Sequence, residues 1–249
     1  MTIEISFIIN LHREGRVCIP TLDTAVKAVN FANEKKIRTE LILVADNPDS
    51  VTLHFAEQVG SLARIEITNV RDLGDARNHG VKVAKGKFIA FMDGDDLCCK
   101  DWLVRAYEEA SAYKNKCIVH PKFNLFFGRD YDRYFWVHPD CRKDKVKLTK
   151  LLAENLWTSS VFASRDIFLK FPYWRNKLGD GTGYEDWVFN IETALADIRH
   201  IVAPDTILFI RKNKTASLLV ASNTVAVLPD ISRIFSGKCT AKDLLDRLL

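Results

Sequence analysis

Residues 88–97 read FIAFMDGDDL. A short apolar run ends in three carboxylates, Asp93, Asp95 and Asp96, with Gly94 between the first two. The run has the length and composition of a buried parallel strand, with the acids at its C-terminal end. Open α/β sheets bind ligands at that edge. Clustered carboxylates are hard oxygen donors suited to Mg²⁺ or Mn²⁺, usually shared with a phosphate. The same residues could instead form a polar turn between strand and helix, because Asp-Gly turns are common.

The elements that would position these acids alternate along the chain. Ile5–Ile9 is an apolar strand. Leu22, Ala25, Val26, Val29 and Ala32 then recur at helical spacing. Glu40–Ala45 is a second strand running into the turn signal Asp46-Asn47-Pro48. A helix near 50–59, a strand near 63–67 and a helix over Gly74–Lys85 lead to the strand Lys87–Met92. Trp102, Leu103, Ala106, Tyr107 and Ala110 mark a further amphipathic helix. This alternation predicts a mostly parallel sheet with right-handed crossovers. After about residue 115 the character changes. Residues 116–138 are aromatic and broken, as in a β-hairpin, with helices near 146–155 and 184–196 and a strand near 206–211. Thr240…Asp243 is a capping pattern for a C-terminal helix that suggests a linker to a further domain.

Bulk properties narrow the class. The chain has 249 residues, 47% hydrophobic and 27% charged, enough for one sizeable core or two small ones. A net charge of +4 with no basic stripe interleaved with aromatics argues against nucleic acid. The six cysteines show no CxxC spacing, so zinc is not expected, and they read as reduced thiols of a cytosolic protein. No stretch approaches the roughly 20 apolar residues that span a bilayer. The run Arg142, Lys143, Lys145, Lys147 and Lys150 is a solvated face or a surface for an anionic or phospholipid-linked acceptor. The six histidines, His12, His54, His79, His120, His138 and His200, lack metal-ligand spacing.

Four segments together resemble the family 2 inverting glycosyltransferases of the GT-A fold: ISFIINLHREG at 5–15, ELILVADNPDS at 40–50, DLGDARNHGVKVAKGKFIAFMDGDDL at 72–97, and GYEDW at 183–187. The resemblance covers most of residues 3–110 and is looser from 155 to 212. It implies an α/β domain over residues 1–220, with a nucleotide-binding half (1–115), a smaller acceptor-side hairpin and helical half (116–220), and a C-terminal helical extension (221–249). It also implies a nucleotide-sugar donor, a divalent metal (Mn²⁺ or Mg²⁺), and a glycan or lipid-linked acceptor in bacterial surface-polysaccharide synthesis. Such an enzyme would work in the cytoplasm or at the inner face of the membrane, within a larger chain or complex.

Carried over position by position, Asn10, Leu11, His12 and Arg13 would border the nucleobase and ribose. Asp46 would accept from the base N3–H, favouring uracil or thymine. Asp75 and Arg77 would sit over the nucleotide. Asp93 would contact ribose or metal, and Asp95 would ligate the metal. In Glu185-Asp186, Asp186 would be the general base. The first strand ends in Asn10-Leu11-His12-Arg13 where the family often has Pro-Thr-Tyr-Asn. The second ends in one aspartate rather than two. Ile210-Arg211-Lys212-Asn213 replaces the frequent Tyr-Arg-x-His, so phosphate oxygens and water are expected to complete the metal shell. Gly179–Gly183 suggests a loop that closes over the donor. Trp157, Tyr184 and Trp136 could pack on sugar C–H faces, although each taken singly reads as core rather than site. Trp187 is a further acceptor-side candidate, although it reads as a core anchor rather than a sugar platform. The rival functions are a sugar-phosphate nucleotidyltransferase, which needs a more glycine-rich first loop than INLHREGR, and a non-catalytic nucleotide-sugar-binding module.

Overall fold

The computed structural model describes residues 2–212 except 115, 130 and 131, together with 222, 224 and 227–230. The first half alternates strand and helix as the periodicity predicts: β1 (Ile5–Leu11), α1 (Cys18–Glu34), β2 (Thr39–Asp46), α2 (Ser50–Glu57), β3 (Arg64–Thr68), α3 (Leu73–Val83) and β4 (Phe88–Asp93). The short β5 (Leu97–Cys98) and α4 (Trp102–Ala112) follow. The second half contains β6 (Cys117–Gly128), β7 (Tyr134–Val137), α5 (Leu148–Ala153), β8 (Phe162–Ser164), α6 (Arg165–Lys170), β9 (Thr182–Gly183), α7 (Glu185–Leu195), β10 (Arg199–Lys212) and β11 (Leu228–Pro229).

Among the described residues, nine strands form one mixed sheet in the order β3-β2-β1-β4-β8-β6-β10-β5, with β7 beside β6; β9 and β11 pair separately. The β3-β2-β1-β4 block is parallel, as is the β6–β10 pair. The antiparallel β8 joins the two blocks. β1 is buried along its whole length, and the central strands carry the near-continuous apolar runs of a sheet covered on both faces. Ile5, Phe7, Ile9 and Leu11 point into the core under α1 and α4. Ile8, Val44 and Phe91 point into a second core under α3, α6 and α7. Phe91 meets Phe168 and Tyr173 edge-on there; truncation to alanine at such a site costs about 3–5 kcal/mol.

The structure departs from the sequence expectations in the second half. The hairpin at 116–138 exists, but its first strand lies inside the main sheet between β8 and β10. The strand expected at 206–211 begins at Arg199. Pro204 and Asp205 read as breakers, yet the strand passes them through an irregularity between Ala203 and Ile207, with Asp205 at a φ of 57°. β8 and β5 are too short to show any period. The C-terminal helix expected at 240–249 lies outside the described residues. Among the described residues, no helix is long and apolar enough to cross a membrane, and the five described cysteines are free.

Candidate active site

The side chains of a strand alternate between faces. Ile8, Val44 and Phe91 share the α3-side core, so Asn10, Asp46 and Asp93, each two residues further on, emerge on that same side at the C-terminal ends of β1, β2 and β4. Asn10 and Asp93 are register partners. Beyond these strand ends lies a cleft of about 580 Å³. Its walls are Leu11, His12, Arg13 and Glu14 after β1, Asp46 and Asn47 after β2, Arg71 to Leu73 and Ala76 at the start of α3, and Asp93 to Asp95 after β4. Asn176 and Leu178, the latter at the edge of the glycine-rich segment, complete it. Asn10 is 5% exposed, and neither end of its amide meets a protein partner. A buried amide of this kind invites a bound molecule to supply the missing hydrogen bonds.

Several expected site residues border this cleft, and each is held by its neighbours. Asp46 Oδ1 accepts from Thr68 Oγ1 (2.9 Å) and the Val70 N–H (2.8 Å), and Oδ2 accepts from the Asp72 N–H at 3.2 Å. Asp46 therefore ties down the 68–72 segment as well as facing the cleft, and Oδ2 retains the capacity for a further donor. His12 Nδ1 lies 2.6 Å from the Asp46 carbonyl oxygen, and Arg13 Nε donates to the Asn47 carbonyl. Asp72 caps α3, accepting from the Asp75 N–H, and also accepts from the Asn176 backbone and side chain. Asp72 and Asn176 were not anticipated. The cap was recognisable in the sequence; Asn176 had no signal.

At the acid turn, a Cβ on Gly94 would lie 2.7 Å from both the Asn10 carbonyl and Leu11 Cδ2. Glycine is what lets the turn carrying Asp95 press against the end of β1. Asp95 is 1% exposed, yet it lines the cleft. Asp96 instead serves the architecture. Its Oδ1 accepts from the Arg211 N–H, while Arg211 Nε donates to the Asp95 carbonyl. The end of β10 is thereby fastened to the acid turn.

Arg77 departs from expectation. It does not lie over the cleft; its side chain is fully buried beneath it. Nη2 donates to Asp93 Oδ1 at 2.8 Å, and Nη1 donates to Glu185 Oε1. The guanidinium also packs on the Tyr173 ring, 5.2 Å from its centroid. Burial alone would lower its pKa, but Asp93 and Glu185 outweigh burial and raise it. The rest of the Ala-Arg-Asn-x-Gly helix is equally architectural. The Asn78 amide clamps both backbone groups of Tyr173. Gly80 lets α3 approach Ile8, where a Cβ would sit 3.0 Å from Cγ2. Asp75 does not line the cleft and pairs with Arg175 at 2.5 Å.

The acid pair at the start of α7 divides its roles. Glu185 is committed to Arg77 and is 5% exposed, so it is not available as a base. Asp186 sits in a recess: neighbours surround it, while part of its surface stays reachable. Burial and the Glu185 charge push its pKa up to about 7, against the opposing pull of Arg77 and the Trp187 N–H. Asn155 Nδ2 donates to Asp186 Oδ2 at 3.0 Å. Ser159 Oγ donates to Asp93 Oδ2 at 3.0 Å. Neither Asn155 nor Ser159 had a sequence signal. Tyr184, in a left-handed conformation with φ 60°, precedes the helix and meets Trp187 edge-on.

Three aromatic candidates are structural. Trp157 is 1% exposed, stacks on His200 and donates to the Pro139 carbonyl. Trp187 donates to the Leu151 carbonyl. Trp136 packs against the core. His120, His138 and His200 form a buried cluster around Trp157. Burial keeps them neutral, with His138 and His200 pushed down to about 3. Arg142, in the basic run, is held by Asp140, Glu109 and the Val202 carbonyl.

A parallel block with a carboxylate turn at its edge, and a carboxylate pair on a helix start across from it, define a GT-A architecture. The sequence pattern of glycosyl transferase family 2 matches residues 6–171, and the chain belongs to that family. It is 30% identical over 120 residues to the uncharacterized glycosyltransferase EpsJ of Bacillus subtilis, covering 47% of this chain and 34% of that protein. It is 32% identical over 111 residues to the cholesterol galactosyltransferase of Borreliella burgdorferi, covering 43% and 30%. The matched segments thus span about a third of those relatives. Solved structures of TarS from S. aureus share the fold. The complex with UDP-GlcNAc superposes with a TM-score of 0.63 at 18% identity, covering 86% of this chain and 60% of that one. The UDP complex gives 0.62 at 15%, covering 98% and 77%.

Proposed function

We propose that this chain is the catalytic domain of an inverting glycosyltransferase. It would transfer a sugar from a nucleoside diphosphate donor, UDP- or dTDP-linked, to a glycan or lipid-linked acceptor in bacterial surface-polysaccharide assembly, at the cytoplasmic side of the membrane. The observation that carries this reading is Asp186: a recessed carboxylate whose pKa is raised to about 7, joined through Glu185 and Arg77 to Asp93 at the donor cleft. The kinship of the TarS complexes, which hold UDP-GlcNAc and UDP, supports a nucleotide-sugar donor.

In this mechanism the acceptor hydroxyl lies against Asp186, which takes its proton as the oxygen bonds to the anomeric carbon. The bond from that carbon to the diphosphate breaks on the opposite face, and its electron pair leaves with the diphosphate. A base with a pKa near the working pH is both largely ionised and able to hold the proton. Asn10 and the spare capacity of Asp46 Oδ2 would engage the base or ribose. His12, Arg13 and Arg71 add donors around the nucleotide. Tyr184, beside Asp186 in sequence, would supply an aromatic face to the acceptor.

The donor set is compatible with a divalent ion. Among the described residues, no group of three or more His, Cys, Asp or Glu side chains could hold a metal. Mg²⁺ and Mn²⁺, however, are commonly held by one or two carboxylates plus substrate phosphates. Asp93 and Asp95 would supply the carboxylates and the donor diphosphate the rest. Such an ion would neutralise the charge that develops on the leaving diphosphate.

Calorimetric titration with UDP, dTDP, GDP and CMP, each with and without Mn²⁺, tests the donor assignment. Metal-enhanced binding of UDP or dTDP is expected. Tight GDP binding would overturn the role of Asp46, and failure of every nucleotide to bind would favour a non-catalytic module.

A further inference from the structure

Asn155 and Asn190 lie outside the four segments that carry the family resemblance and outside the donor cleft, yet together they bear on what one oxygen of Asp186 can do. Asn190, on α7, is 1% exposed. Its Nδ2 donates to the Trp157 carbonyl at 3.4 Å and to Asn155 Oδ1 at 2.8 Å. Asn155 Nδ2 donates in turn to Asp186 Oδ2 at 3.0 Å.

The direction of this chain follows from its fixed end. A backbone carbonyl can only accept, so it holds the Asn190 amide with its NH₂ inward. An NH₂ group can only donate, so Asn155 must offer its oxygen to Asn190. The other end of the Asn155 amide is then an NH₂, and it must face Asp186. Asn190 is buried and its bonds to Asn155 and on to Asp186 are part-buried; flipping either amide would bring two acceptors or two donors together there, the arrangement that polar groups with little access to water avoid.

We infer that Asn155 and Asn190 are positioning residues that carry the polarity of the Trp157 carbonyl to Asp186, pinning Oδ2 as an acceptor and leaving Oδ1 as the oxygen that receives the acceptor's proton. A proton on Oδ2 would collide with the Asn155 NH₂. The relay fixes the carboxylate's rotation and selects which of its two oxygens is basic. It also favours the ionised form, because a hydrogen bond donated to a carboxylate stabilises its charge. This opposes the other influences around the group. Burial raises the Asp186 pKa, Glu185 on the same helix and Asp93 on β4 raise it further, and Arg77 on α3 lowers it. Tyr173 and Tyr184 face it as neutral phenols. The catalytic meaning of the relay rests on Asp186 being the base; the hydrogen-bond relay itself does not.

The test separates the two. The full chain is labelled with carboxyl-¹³C aspartate, and the Asp186 resonance is identified by its loss in Asp186→Asn. In Asn155→Ala the Asp186 titration midpoint should rise by about one pH unit, the effect of losing one hydrogen bond to a charged group. Asn155→Leu keeps the side-chain size, removes the donor and adds no charge, so the same rise is expected; this variant stands in should the alanine protein not fold. Asn190→Ala frees the Asn155 amide to turn, and a smaller rise in the same direction is expected. In parallel, with hydrolysis of UDP-GlcNAc as the probe reaction, the acid limb of kcat should move by the same amount while KM stays within twofold. A purely structural role would lower activity without moving either midpoint. An unmoved Asp186 midpoint in both Asn155 variants overturns the relay while leaving the base assignment intact. Undiminished turnover in Asp186→Asn overturns the base assignment, whatever the titration shows.

Discussion

Replacing Arg77 by methionine should be among the most damaging single changes available in this chain. The guanidinium is fully buried, with Asp93 Oδ1 2.8 Å from Nη2 and Glu185 on Nη1. Methionine fills much of the volume but leaves two carboxylates without their cation. They are not equally exposed: the Asp93 side chain is 25% accessible and can turn to water, while that of Glu185 is 5% accessible and cannot. Breaking a buried pair by removing one partner costs about 3–5 kcal/mol, a large share of a total stability of about 5–15 kcal/mol. With a urea m-value of about 2–3 kcal/mol/M, the unfolding midpoint should drop by about 1–2.5 M at pH 7.5. Glu185→Gln in the same chain removes the stranded charge, so the double variant should recover more than half of the loss. The assay is urea unfolding followed by tryptophan fluorescence, with the m-value checked for constancy. A midpoint drop below about 0.3 M, or a double variant no better than Arg77→Met, would refute the claim that this ion network clamps α3, β4 and α7 together.

Asp186→Asn should lower kcat by about 10²–10⁴-fold, and in the parent protein the rate should fall as pH drops through about 7, because the base works only when ionised. The same substitution should raise stability at pH 8. A carboxyl whose folded pKa lies above its unfolded value of 3.8 binds more protons in the folded state between those pH values, so stability falls as pH rises through that window; thermal melts of both proteins from pH 4 to 8 should show the advantage growing with pH. Asp95→Ala should abolish any Mn²⁺ enhancement of UDP binding in calorimetry while shifting the melting temperature little. Asp46→Asn should place an NH₂ group against the Val70 or Asp72 N–H, costing about 1–3 kcal/mol and weakening nucleotide binding, as read by urea unfolding and the same titrations.

The first half of the fold was legible because β1, β2 and β4 are covered on both faces, and continuous apolar runs punctuated by Asp-Asn-Pro and Asp-Gly leave few alternatives. The second half was not. β8 and β5 are too short to show a period, and β10 continues through Pro204-Asp205, which reads locally as a stop. The site divided along similar lines. The carboxylates at strand ends were visible because strand parity places Asp46 and Asp93 together. Arg77 was misplaced because a sequence shows that an arginine follows a capped helix start, not that a glutamate 108 residues later will meet it. Glu185 and Asp186 were recognisable as a pair, but which one is tied up depends on that same distant contact. Asn155, Ser159 and Asn176 reach the site from irregular segments that have no period to read, while Trp157 lies in the core, as a lone tryptophan usually does.

The order in which the sheet is assembled bears on the birth of the protein at the ribosome. β1 to β4 leave the exit tunnel in sequence and pair with near neighbours, but the open edge of β4 meets its partner β8 only about 70 residues later. At translation rates of about 5–20 residues per second, that edge stays uncovered for roughly 4–14 s. It is the strand FIAFMD, apolar and rich in aromatics, the kind of segment that recruits other chains. The carboxylates at its end add local charge during that interval, so the residues proposed to serve chemistry also act as gatekeepers against aggregation of the nascent chain.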